Sequence, residues 1–483
     1  VDKLLGFCPD SEPTGVGVVT ECTNFVPYEN GMKGAPIGVA PIGVPALAAE
    51  CQGGVVVTKL DDTRRIFAGT QTKLYELSAG AWVDVSTGSY AGGTDSRWQF
   101  AQFGNTTVAS NLADTIQRST GAGFSAASGT APKAKILFSV GSFLMAMNTN
   151  DGSVKPNGWH CCASYDETDW TPSTITLSAK GQLVSSPGQI VAGGKLGDYA
   201  VAYKEKAIHI GQFVGAPSVW DWQQIPSGDA GCVGLDAWCD IGGAHFIVGM
   251  DNLWLFDGSR PTPLGVGQVR QWFFNNSNPA TRYKTKCLFD RQNNVVWMYY
   301  CSSTSTTIDS ALVYHVQTKQ WGCVSIAIEA VLNYISAGVT IDQMGDVSAT
   351  IDGLISYPFD SQYWVIGGRA LSVFSTSHQL QLMTGATVNS SFTTGDVGDD
   401  DAVTMLSKIR VRFAPGAAPT SATVQTFKKM TEGDSLSLGV TSSINDGKFD
   451  VMQTARFHRG KFDFTGDVKV LALGATLTPE GDR

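Results

Sequence analysis

The segment HFIVGMDNLWLFDGSRPTPLG (residues 245–265) passes from an apolar run through a polar turn into an aromatic strand and a second turn. The same rhythm returns at 66–86, 136–173, 197–226 and 293–326. Each unit reads as short period-two or fully apolar strands separated by turns rich in Gly, Asn, Asp or Ser. Trp82, Trp170, Trp222 and Trp321 close four of the units, with Leu264 in the corresponding place of a fifth. A period of roughly 40–55 residues with four short strands is the mark of a propeller blade, because one small sheet cannot bury both faces alone and radial stacking covers each with its neighbour. The expectation is an all-β chain with a β-propeller of about six blades over 51–375, one of them degenerate around 98–119. The closing tryptophans are expected to be buried between sheets. A β-sandwich with long insertions is the structural alternative.

Beyond Gly385 the tryptophans stop and alternation becomes stricter. In KIRVRF (408–413) the cations fall on one side and the apolar residues on the other, and 421–427, 461–467 and 468–477 continue the pattern. Residues 376–483 therefore read as a small sandwich-like β-domain with one wet face. The Gly- and Pro-rich residues 1–50 read as an extended strap able to add a strand to either domain.

Composition narrows the function classes. The formal net charge of -9 argues against a protein that works by gripping phosphates, although DNA could pass without being held. The longest apolar run, 35–49, is short for a membrane span and broken by prolines, and the first residues lack the basic and apolar regions of a cleaved signal. No membrane anchor is expected. The 10 cysteines include no C-x-x-C pair, so reduced, mostly buried thiols are expected, and neither chelators nor reductants should unfold the chain.

The search for chemistry yields little. ASYDETDWTP (163–172) lacks the glycine of an Asp-box turn and reads as a hairpin closed by Trp170. GDVGDDDAV (395–403) lacks the ligand spacing of a calcium loop and reads as a solvated acidic loop. His160, His209, His245, His315, His378 and His458 stand singly, and no nucleophile elbow, P-loop or zinc-protease motif occurs. No catalytic residue, cofactor or metal ligand is assigned, and the chain is expected not to be an enzyme. The one basic concentration joins Lys408, Arg410 and Arg412 to Arg456, Arg459 and Lys461. A subunit or partner interface is preferred there over nucleic acid, because stacking aromatics would have to be exposed beside it.

TECTNFVPYENGMKGAPIG (20–38), the tryptophan-closed middle and the ending INDGKFDVMQTARFHRGKFDFTGD (444–467) together resemble the tail hub or nozzle of short-tailed double-stranded DNA bacteriophages, the packaged-DNA stabilisation protein. The resemblance implies a homohexameric ring below the portal and adaptor that closes the DNA channel after packaging and conducts DNA during ejection. Its implied partners are the adaptor, tail fibres or spikes and a needle, with genomic DNA passing without specific binding. Its implied place is the virion tail, assembled in the host cytoplasm. The glycine-rich loop 86–96 is a candidate gate. The alternative is a propeller that binds or degrades receptor glycans at its central funnel.

Overall fold

The structure is a computed structural model describing residues 2–41, 43–78, 80–335, 350, 369–398 and 400–482. Seven antiparallel four-stranded units lie in chain order around an axis. Blades one to five occupy 53–84, 99–126, 133–182, 192–225 and 238–264, and blade six occupies 286–325. Blade seven combines Ile328–Ile335, Arg369–Ser375 and Leu380–Gly385 with Ile37–Val39 from the strap. The innermost strand of blade seven packs beside Gly53–Thr58 of blade one, so the ring closes.

The count of seven lies within one of the about six expected. Blades one to six match the units legible in sequence; the seventh lacks a closing tryptophan and takes its outer strand from the other end of the chain. Its strand Leu380–Gly385 also lies past residue 375, so the propeller extends beyond the boundary drawn there. The second strand of each blade is buried almost throughout on both faces by neighbouring blades. Val295–Tyr300, VVWMYY, is accordingly buried at every position, a continuous apolar run in place of alternation.

The closing tryptophans divide into two kinds. Trp321 and Trp170 are each only 1% exposed. Trp82 and Trp222 are half-buried, which corrects the expectation for those two. They sit on outermost strands, where cover is thinner: Trp82 lies against Phe374 at 5.8 Å between ring centres and Trp222 against Trp159 at 5.7 Å. Trp170 stands off the strands, in the turn region before Ala179–Gln182.

The strap serves both bodies. Val19–Thr23 pairs with Asn389–Thr394, in a sheet with Phe457–Thr465, Ser421–Lys429 and Ser437–Ser443. The hairpin of Phe25–Tyr28 and Gly31–Gly34 joins Trp321–Ser325 of blade six to Lys469–Asp482, which pairs with Ala402–Phe413, itself paired with Lys448–Ala455. One sheet of ten strands thus runs from blade six into the C-terminal sandwich. Between the two sheets lies an aromatic core of Phe25, Phe392, Phe449, Phe462 and Phe464. Among the described residues there is one α-helix, Arg270–Asn276, whose first N–H groups, from Gln271 and Trp272, donate to the strap carboxylate of Asp10 at 2.6 and 2.9 Å. No described helix is long and apolar enough to cross a membrane.

Candidate functional site

The basic face sits on the sandwich strand Ala402–Phe413. Lys408, Arg410 and Arg412 are all exposed, while Ile409 and Val411 between them are buried. Alternation therefore projects three cations from one strand at a spacing of about 7 Å. None of the three forms an ion pair with a described residue. In register, Arg410 lies beside Lys448 and Lys408 beside Asp450, but Asp450 turns to Lys448 at 3.1 Å. The face therefore retains an excess of positive charge.

Arg459 does not belong to it, contrary to the sequence expectation. It stands on Phe457–Thr465 in the other sheet, and its Nε donates to Asp396 Oδ1 at 2.8 Å. Lys429 approaches Asp396 Oδ2 at 2.8 Å, and the Asp396 side chain is 1% exposed. Asp396, expected in a solvated loop, is instead the anion of a buried three-residue cluster; Asp399 lies outside the described residues, and Asp400 is exposed. Arg456 is half-buried where the chain crosses from one sheet to the other. Phe457 and Phe462 are buried, and Phe413 packs on Phe464, so these rings offer no stacking platform beside the cations.

A second region is the central funnel, which the sequence named only as the place of the alternative glycan site without any of its residues: it has a volume of about 800 Å³ and lies at one end of the propeller axis. Its centre is Asp236, just before Trp238–Asp240 of blade five. Gln99 Nε2 from blade two donates to one carboxylate oxygen at 2.8 Å, and Lys286 Nζ from blade six reaches the other at 2.8 Å. Burial would raise the Asp236 pKa, but the charge and hydrogen bond of Lys286, the charge of Arg97 and the Gln99 amide outweigh it and hold the group below the usual carboxylate value. Lys135, on the innermost strand Lys133–Val140, also lines the funnel. It makes no hydrogen bond or ion pair with a described residue, and desolvation lowers its pKa despite the charge of Asp236. At the mouth, Lys284 faces Asp95 at 3.6 Å.

The loop 86–96 forms part of this mouth through Gly93, Thr94, Asp95 and Ser96. It is also anchored, which its small residues did not suggest: Tyr90 is buried with its ring 5.0 Å from Trp98. Gly234 lets the neighbouring wall approach, because a side chain there would run into the carbonyl of Tyr283.

The histidines are used internally. A carbonyl can only accept, so His245 Nε2–H donates to Lys195 O at 3.1 Å, and Nδ1 then accepts the Tyr203 hydroxyl at 2.6 Å. His160, His209 and His458 are likewise buried and hydrogen-bonded, His315 Nδ1 accepts the Thr318 N–H, and His378 meets Glu329 at 2.6 Å. No group of three or more His, Cys, Asp or Glu suited to a metal occurs among the described residues. None of the 10 cysteines is in a disulfide; Cys161 and Cys162 point into different blade interfaces.

Fold and sites define the class: an all-β chain in which a seven-bladed propeller shares one sheet with a C-terminal β-sandwich. No protein-family profile matches the chain, and no curated protein matches it in sequence. Among solved structures it is similar to YCF48 bound to D1 peptide, with TM-score 0.38 and 10% identity over 74% of this chain and 98% of that one. It is also similar to PorZ, an essential bacterial surface component of the type-IX secretion system of Porphyromonas gingivalis, with TM-score 0.37 and 10% identity over 84% of this chain and 52% of that one. Neither likeness carries an argument about function.

Proposed function

We propose that the chain is a non-catalytic virion protein, the subunit of a hexameric tail nozzle that docks below an adaptor ring, closes the DNA channel after packaging and conducts DNA during ejection. The observation that carries the reading is the exposed row Lys408, Arg410 and Arg412, which finds no anionic partner among the described residues. A chain of net charge -9 offers acidic surface to that row on a second copy of itself, and an acidic channel wall would let DNA slide. The resemblance of 20–38 and 444–467 to tail nozzle proteins supports the same reading.

Mass in solution and negative-stain images of assembled tails test it, with a six-fold ring expected. Reversing Arg410→Glu and Arg412→Glu together should weaken ring formation or adaptor docking and yield particles that package DNA and lose it. A free monomer from the unaltered chain, with charge-reversed particles that keep their DNA but fail to adsorb to cells, would overturn the nozzle and favour receptor recognition.

A further inference from the structure

The floor of the axial funnel holds more positive than negative charge. Asp236 already engages Gln99 and Lys286 with its two oxygens. Arg97 donates to the carbonyls of Thr94 and Ser96 through Nη1 alone, which leaves Nε and Nη2 without a partner among the described residues, and Lys135 has none there either. Over the whole lining, four cations, Arg97, Lys135, Lys284 and Lys286, face three carboxylates, Asp95, Glu205 and Asp236, an excess of one positive charge in a recess where water screens only partly. Glu205, the other carboxylate of the wall besides Asp95, is exposed.

We propose that this funnel binds an acidic sugar, with the sugar carboxylate held between Lys135 and Arg97. A volume of about 800 Å³ accommodates one or two rings. The wall supplies what the rest of a sugar requires: the exposed amide of Gln189 for hydroxyls, held from behind by the buried Asn148, whose own amide donates to Ile190 O at 3.0 Å and to Gln189 Oε1 at 3.5 Å, and the ring of Tyr283, 46% exposed, for an apolar sugar face. A neutral sugar leaves the floor charge unanswered. Inorganic phosphate answers the charge but uses neither the amides nor the aromatic ring. The site lies on the propeller axis of a single chain, so it is independent of ring formation, and a nozzle could carry it on every subunit.

Calorimetric titration of the full chain with D-glucuronate, D-glucose and inorganic phosphate tests the site. Glucuronate is expected to bind at least about tenfold more tightly than either control. Lys135→Met should weaken glucuronate by about tenfold or more, and Tyr283→Ala should weaken glucuronate while leaving phosphate unchanged. Both side chains are partly exposed, so an unaltered thermal melt of each variant confirms that the fold is kept. Glucuronate binding no tighter than glucose, phosphate binding as tight as glucuronate, or an affinity indifferent to Lys135→Met would each overturn the proposal. None of these results bears on oligomeric state, which the mass measurement decides separately.

Discussion

Trp321 is enclosed by Tyr314, with ring centres 4.6 Å apart, and donates its indole N–H to Gln268 Oε1 at 3.0 Å, whereas Trp82 keeps part of its ring in water. Replacing Trp321 or Trp170 with Ala should cost on the order of 3–5 kcal/mol in denaturant unfolding, and Trp82→Ala distinctly less. Asp396 is the opposite kind of buried residue. Asp396→Ala leaves Lys429 and Arg459 facing each other without their anion, at a cost of about 3–5 kcal/mol read in the same assay. Burial lowers the pKa of His160, His209 and His245 to about 4, from the ordinary 6.5. Their stabilising contribution is whole above pH 6.5 and is lost as pH falls to about 4, because the unfolded chain takes up the protons first. For His245 protonation also removes the acceptor of the Tyr203 hydroxyl. A denaturant midpoint that falls across this window, with a shallower fall in His245→Gln, is the expected result.

At the scale of elements, the strap is the part on which most else depends. Val39 and Gly38 pair with Leu382 and Met383 to complete blade seven, while residues 19–34 supply strands to both sheets of the sandwich. Deleting residues 1–40 should leave the Leu380–Gly385 edge open and unpaired, an edge of the kind that aggregates. Broadened thermal melts and high-mass species in size-exclusion chromatography are expected. Blades one to six were legible because each repeats a local pattern within one stretch of chain. Blade seven was not, since its fourth strand lies more than three hundred residues from its third. The outward face of 408–413 was legible from alternation alone, but alternation does not say which sheet a strand joins, so Arg459 was grouped with cations of the other sheet. The funnel floor was hidden for a related reason. Gln99, Lys135, Asp236 and Lys286 come from four different segments, and only closure of the ring brings them to one point.

For the whole molecule, the balance of charge is uneven: net acidity overall, with a cationic row on the sandwich and a cationic floor in the propeller. If the row joins copies through acidic surface, ring formation should weaken as ionic strength rises towards the point where the screening length falls below about 8 Å. Mass measured across a salt series checks this, and the charge-reversed chain should show little further change. The sheet that runs unbroken from blade six through the strap to Lys448–Ala455 has a mechanical consequence. No flexible tether separates the two bodies along that path, and swinging one against the other would break the strand pairing of Phe25 with Cys323 or of Met32 and Lys33 with Val470 and Lys469. Force applied at the sandwich therefore reaches the propeller with little slack, as along a spar, and a tilt imposed on one end by a neighbouring subunit would reappear as a tilt at the other.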